Sequence, residues 1–208
     1  MSSQNNPLLV ILHGGYWRLQ HGPEHLTPLA DSLRREGWEV ETPEYQRKPG
    51  DPYLTLESIK SILKNYESRE IILGGFSAGG QFALLLASNF SNIKAVIAIA
   101  PVTDLVKTEE LGLGDNATKE WLPESAINYP DLNPILSKSP SIPTIVIHGD
   151  SDLRVPMELS ANFVESKRVL GADIKLVQIK DIGHFEIIDP TSSAFPKILS
   201  ALAALRDA

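Results

Sequence analysis

The chain of 208 residues carries 19 basic and 26 acidic side chains, a formal net charge of −7, and 42% hydrophobic residues. That balance leaves no basic excess to displace counterions, so nucleic acid and anionic membrane surfaces are not expected partners. The absence of cysteine excludes disulfides, thiolate nucleophiles and cysteine metal ligands, and it fits a reducing, cytoplasmic setting.

Length and an unbroken composition predict a single domain over residues 1–208, as a monomer or homodimer. The opening MSSQNNP has no basic n-region, and the apolar run at 8–12 is too short for a signal-peptide core or a membrane span, so no secretion signal is expected.

That apolar run begins a series. Short β-rich stretches at 8–12, 38–42, 71–73, 95–100, 144–147 and 174–179 alternate with segments of helical spacing at 23–35, 54–66, 78–88, 156–170 and 192–205. The rhythm predicts an α/β fold with crossover helices over a parallel sheet, and near-continuous apolar runs such as AVIAIA suit strands buried on both faces. From 101 to 141 the rhythm breaks into LGLGDN, WLPES, YPDLNP and SKSPSIP, whose prolines and glycines predict a small lid or excursion in short pieces.

At 73–82 the chain reads LGGFSAGGQF, with Ser77 between Gly75 and Gly79 at a strand-to-helix turn. A sharp elbow that lifts a serine oxygen above the sheet crowds its own backbone, and glycines two before and two after relieve the crowding. The turn also aims the first N–H groups of the following helix at negative charge developing on a carbonyl. Ser77 is therefore the expected nucleophile.

A serine hydroxyl needs a base, and the base needs a third group to orient it. VIHGDSDLRVP, residues 146–156, offers Asp150 and Asp152 after one strand, and IKDIGHFEIID, residues 179–189, offers His184 after the last. Asp152 is the expected acid and His184 the expected base. Asp150 and Asp181 are the alternatives for the acid, Asp150 serving otherwise to tie down its own turn. The chain order serine, acid, histidine is that of the nucleophile-elbow fold.

ILHGGYWRLQHG, residues 11–22, turns at Gly14 and Gly15 after the first strand. N–H groups of this turn and of Ala78 are expected to converge on a tetrahedral oxyanion, with His13 ordering the loop through a side-chain hydrogen bond. Tyr16 and Trp17 are candidates for a pocket wall, or for packing beneath the loop.

With HGGYW at 13–17, GFSAG at 75–79, HGDSDLRVP at 148–156 and GHF at 183–185 in this order, the chain resembles the α/β-hydrolase superfamily. HGGYW followed by EYQRKPG at 44–50 resembles the carboxylesterase-related branch that includes the kynurenine formamidases, or arylformamidases. The resemblance implies an α/β-hydrolase fold with a shortened, mostly parallel sheet of about six strands flanked by helices. It also implies Ser77 as nucleophile, Asp152 as orienting acid, His184 as base, and an HGG turn that joins Ala78 in the oxyanion hole.

The expected activity is hydrolysis of a small carboxylic ester or activated amide through an acyl-enzyme, most simply by a short-chain carboxylesterase. Hydrolysis of an aryl formamide such as N-formyl kynurenine is the alternative, and a noncatalytic hydrolase-like binding protein is the reading from another class. Trp17, Phe76, Trp121 and Phe185 are expected to receive an aromatic substrate portion, and Arg18 or Arg154 to pair with a substrate carboxylate. No cofactor or metal is expected. His21 and His25 are four apart, but Gly22 and Pro23 interrupt any helix that would align them.

Overall fold

The computed structural model describes residues 7–208, so the opening MSSQNN, part of the leader reading, lies outside the described residues. Six strands form one sheet: β1 (Leu8–Leu12), β2 (Val40–Glu41), β3 (Ile71–Phe76), β4 (Ile93–Ile99), β5 (Thr144–Gly149) and β6 (Ile174–Ile179). Their order is β2-β1-β3-β4-β5-β6, and every neighbouring pair is parallel.

Alternation along these strands builds two cores from one apolar run. Leu8, Val10 and Leu12 of β1 face one layer with Leu73, Val96 and Val146. Leu9 and Ile11 face the other with Ile72, Ile97 and Ile147. Helices α2 (Pro52–Lys64), α3 (Ala78–Leu86) and α6 (Met157–Val169) cover the first layer, while α1 (Thr27–Arg35) and α7 (Phe195–Arg206) cover the second.

Four strands depart from their expected bounds: β4 runs over Ile93–Ile99 rather than 95–100, β5 continues to Gly149 rather than ending at 147, and β2 and β3 differ as follows. The stretch 38–42 narrows to Val40–Glu41, which pairs with β1 only through Leu9 and Val10. β3 runs past Leu73 through Gly74 and Gly75 to Phe76. A Cβ on Gly74 would lie 3.2 Å from Ile11 and 3.3 Å from Ile97, so glycine here accommodates the side chains of both neighbouring strands rather than ending the strand.

The excursion at 101–141 forms α4 (Leu105–Glu110), α5 (Leu113–Trp121) and three single turns of 3₁₀ helix. Asp104 caps α4 by accepting from Lys107 N–H at 3.0 Å. At the start of α5, Gly114, Asp115 and Asn116 all have left-handed backbone angles, so that turn winds opposite to the helix that follows. Leu105, Ala117, Trp121, Ala126 and Leu132 are buried in the same core as β1 and β3, which fastens the excursion to the sheet.

After β1 the chain departs toward α1, and after β3 toward α3, on opposite faces of the sheet. The crevice beyond the carboxyl ends of these adjacent strands is the topological switch point, where parallel α/β sheets open a site.

Candidate active site

Ser77 stands directly beyond β3 with φ 56° and ψ −120°, a backbone conformation that costs a non-glycine residue about 1–3 kcal/mol. The surroundings hold it there. Its N–H donates to Ile99 O at 2.9 Å, and its carbonyl accepts from Gln81 N–H and Val102 N–H, each at 3.2 Å. The flanking glycines leave no room for a side chain: a Cβ on Gly75 would lie 2.2 Å from Gly79 O, and one on Gly79 would lie 2.1 Å from Leu12 O.

Ser77 Oγ lies 3.1 Å from His184 Nε2, and His184 Nδ1 lies 2.6 Å from Asp152 Oδ2. A carboxylate can only accept, so Nδ1 carries the proton and Nε2 offers its lone pair to the serine hydroxyl. Both ends of this relay are sheltered, with Ser77, Asp152 and His184 all buried.

Asp152 is held by four donors. Oδ1 accepts from Arg154 N–H at 2.8 Å and Val155 N–H at 2.9 Å, and Oδ2 accepts from His184 and from His148 Nε2 at 3.1 Å. Burial pushes its pKa up, but the hydrogen bonds from His148 and His184, the charge of His184 and the Val155 N–H outweigh that effect. The net result holds Asp152 well below the usual carboxylate range.

His148 was not among the candidates from sequence. It projects from β5, fully buried, with Nε2 also donating to Val155 O at 2.9 Å and Nδ1 2.7 Å from Ser160 Oγ. The available signal is its register: Val146, two residues earlier, packs in the core below α6, so His148 occupies an inward position that demands polar partners. Asp150 takes the turn-tying place, its Oδ1 accepting from Asp181 N–H at 2.7 Å and joining the turns after β5 and β6. Neither Asp150 nor Asp181 reaches His184.

Gly14 and Gly15 lie against the elbow. A Cβ on Gly14 would sit 2.9 Å from Ser77 Cβ, which sets the HGG backbone beside the serine. Ala78 is the first residue of α3, whose leading N–H groups have no intrahelical acceptor. His13 sits behind the turn, with Nδ1 2.8 Å from Gly14 O and Arg47 Nη1 2.6 Å from its Nε2. Because a guanidinium only donates, Nε2 accepts and Nδ1–H donates to Gly14 O. Burial, the largest influence, lowers the pKa of His13 and keeps it neutral.

The EYQRKPG segment supplies the support for that histidine. Tyr45 stacks on the His13 ring at 4.2 Å and donates its hydroxyl to His13 O at 2.6 Å, while Glu44 pairs with Arg47 at 2.9 Å. These contacts fix the HGG turn from below.

A cleft of about 220 Å³ opens over Ser77 and His184, walled by Gly15, Tyr16, Phe76, Phe185 and Arg154, with Arg18, His21 and His25 completing its lining. Tyr16 donates its hydroxyl to Arg154 O at 2.7 Å and lays its ring on Gly114, where a Cβ would come within 2.7 Å. Burial, with the charge of Asp152, pushes the Tyr16 phenol up to about 12, so it stays a donor across the physiological range.

Trp17 and Trp121 are corrections to the expected pocket. A positive φ of 60° at Trp17 belongs to a turn whose indole is buried, and it stacks on Trp121 at 4.4 Å. Its Nε1–H donates to Gln81 Oε1 at 2.8 Å. Both tryptophans pack beneath the loop rather than line the cleft. Arg18 is likewise engaged, gripping Glu120 through Nε and Nη2 at 2.7 Å each and donating to Gly114 O at 2.8 Å.

Among the described residues no group of three or more His, Cys, Asp or Glu is placed to hold a metal ion, and no helix is long and apolar enough to cross a membrane.

Residues 60–202 match the profile of the prolyl oligopeptidase family. Solved structures of similar fold include carboxyl esterase 2 from the mycorrhizal fungus Tuber melanosporum, at 19% identity and TM-score 0.78 over 99% of this chain and 80% of that one. An acetyl ester-xyloside bifunctional hydrolase from Caldicellulosiruptor lactoaceticus aligns at 18% identity and TM-score 0.80, covering 100% of this chain and 85% of its own. A thermostable carboxylesterase cloned from a metagenomic library aligns at 19% identity and TM-score 0.81, covering 100% and 81%. No curated protein matches the chain in sequence. These likenesses establish the α/β-hydrolase fold.

Proposed function

Because this chain belongs to the prolyl oligopeptidase family, we propose that it is a serine hydrolase of small carboxylic esters, a short-chain carboxylesterase in which Ser77, His184 and Asp152 form the catalytic relay. The observation that carries the reading is the unbroken line from Ser77 Oγ through His184 to Asp152, at 3.1 and 2.6 Å, on the floor of the cleft.

In this mechanism His184 Nε2 takes the proton of Ser77 as Oγ attacks the ester carbonyl. The carbonyl π pair moves onto oxygen, and N–H groups of the Gly14–Gly15 turn and of Ala78 stabilise the oxyanion. As the tetrahedral species collapses, the bond to the leaving alcohol breaks and the imidazolium of His184 delivers the proton to it. Water then attacks the acyl-enzyme by the same route, releasing the acid and restoring Ser77. Asp152 stays ionised throughout and holds the imidazole in its Nδ1–H tautomer.

A cleft of about 220 Å³ suits a small acyl group. The same constriction favours aryl formamides as a second reading, because formyl is the smallest acyl group and an arylamine leaves more readily than an alkylamine.

The test is steady-state kinetics of the purified protein on aryl acetate and butyrate esters, N-formyl kynurenine and a prolyl dipeptide anilide. Ester turnover that disappears in Ser77→Ala supports the reading. Ester turnover persisting in pure Ser77→Ala, or cleavage of the anilide alone, rejects it. Turnover confined to the formamide selects the second reading.

A further inference from the structure

Three residues follow Gly14 in the turn assigned to the oxyanion hole, and all three have positive φ: Gly15 at 116°, Tyr16 at 50° and Trp17 at 60°. Glycine adopts such angles freely, but Tyr16 and Trp17 are strained there, and strained backbone persists only where its surroundings fix it. Tyr16 is fastened at the cleft mouth through Arg154 O and Gly114. Trp17 is fastened inside the protein. Its indole lies flat on Trp121, the ring planes 4° apart, and its Nε1–H donates to Gln81 Oε1 at 2.8 Å. A stacked ring can still turn in its own plane, and the hydrogen bond removes that freedom.

Gln81 is the one polar side chain of α3, which reads AGGQFALLL, and it is fully buried. A buried amide costs free energy unless its ends are paired, and an apolar side chain of similar size would fill the place without that cost. Both ends are paired here. Oε1 accepts from the Trp17 indole, and Nε2 donates to Leu132 O at 2.8 Å, in the 3₁₀ turn Pro130–Leu132 of the excursion. An indole only donates and a carbonyl only accepts, so the amide has one orientation, and reversing it would break both bonds. Gln81 also stands one turn beyond Ser77, with its own N–H on Ser77 O at 3.2 Å. One residue thus joins the nucleophile helix, the oxyanion turn and the excursion.

We propose that Gln81 is a positioning residue for the oxyanion hole: it locks the Gly14–Trp17 turn to the helix that carries Ser77, and the excursion, through Leu132 O, holds its amide in the orientation this requires. Nucleophile and oxyanion donors then keep one geometry. Those donors act on charge that develops only in the transition state, so loosening the turn costs rate rather than substrate affinity. The effect on rate rests on the hydrolase reading, whereas the tether itself does not.

The experiment uses phenyl acetate with Gln81→Met, which removes both side-chain bonds, and Trp17→Phe, which removes the indole N–H and keeps a ring against Trp121. Each is expected to lower kcat about tenfold with KM little changed. Inhibition by an alkyl trifluoromethyl ketone, whose adduct with Ser77 places an oxyanion in the same hole, should weaken by about the same factor. The double variant should be no slower than Gln81→Met alone, because both changes break one bond. A loss confined to KM, a fall in kcat without weaker ketone inhibition, or losses that multiply in the double variant overturn the role.

Hydrogen exchange followed by mass spectrometry over residues 14–18 gives a readout independent of turnover. Faster exchange there in Gln81→Met and Trp17→Phe, with β3 unchanged, upholds the tether even if the wild type hydrolyses no ester, which would sink the hydrolase reading alone. Unchanged exchange over 14–18 in both variants overturns the tether.

Discussion

His148 and His184 approach the same oxygen of Asp152, at 3.1 and 2.6 Å. The second histidine offsets the burial that pushes this carboxyl toward neutrality, and it keeps Oδ2 directed at the base. Replacing His148 with Leu removes one donor and leaves Val155 O and Ser160 Oγ without their partner, at a cost of roughly 1.5–3 kcal/mol in stability. With fewer donors, burial gains ground and the Asp152 carboxyl takes up its proton at higher pH. An NMR titration of that carboxyl is expected to show an upward midpoint in His148→Leu and partial recovery in His148→Gln, whose amide N–H can donate in place of Nε2. An unchanged midpoint in His148→Leu rejects this role.

The elbow makes a sharp distinction between two glycines. A Cβ on Gly14 would press on Ser77 Cβ at 2.9 Å and on Phe76 at 3.1 Å, so Gly14→Ala displaces the turn from the serine. The expected result is a folded protein whose kcat falls about 100-fold, the scale of a lost oxyanion donor, with KM less affected. A Cβ on Gly79 would strike the backbone oxygens of Leu12 and His13 at 2.1 and 2.5 Å, which have no freedom to yield. Gly79→Ala should instead lower stability by roughly 1–3 kcal/mol or more, seen in urea unfolding. Equal behaviour of the two variants would contradict this division.

Acid should destabilise the protein well before its carboxylates titrate. His25 packs against Phe76, and its Nε2 is buried without a hydrogen-bond partner among the described residues. Burial, followed by the nearby His13, lowers its pKa from 6.5 to about 4. The unfolded chain takes up this proton first, so the stability is complete above about pH 6.5 and is lost as pH falls toward about 4. His13, lowered chiefly by burial, acts in the same sense. Melting temperature is expected to drop between pH 7 and 5 in the wild type and to drop less in His25→Gln. An identical drop in both proteins would assign the effect elsewhere.

β1 is legible as an apolar run because a parallel strand covered on both faces tolerates little polarity, and it coincides with its expected bounds; β6 coincides as well, although it lies at the sheet edge with Lys175 and Gln178 exposed. Ser77, Asp152 and His184 stood out because each follows a strand, and the sheet brings the ends of β3, β5 and β6 to one edge. What escaped depended on side-chain direction. Trp17 looks like a pocket residue in HGGYW, but the left-handed turn at Tyr16 and Trp17 directs the indole to Gln81. His148 opens the HGDSDLRVP motif as a residue of β5, two positions before its first aspartate. The two rows of the strand, not the motif, reveal it.

The parallel sheet also sets an order of assembly in time. It contains no hairpin, so no strand can pair with its immediate successor through a tight turn, and β1 gains its central neighbour β3 only after α1, β2 and α2 have been made. Ser77 and His184 are 107 residues apart, and α7, which covers Ile97 and Ile147, follows all six strands. Until α7 emerges, the sheet face around Ile97 and Ile147 lacks that cover in the nascent chain, and Ser77 and His184 meet only after β6 has been made.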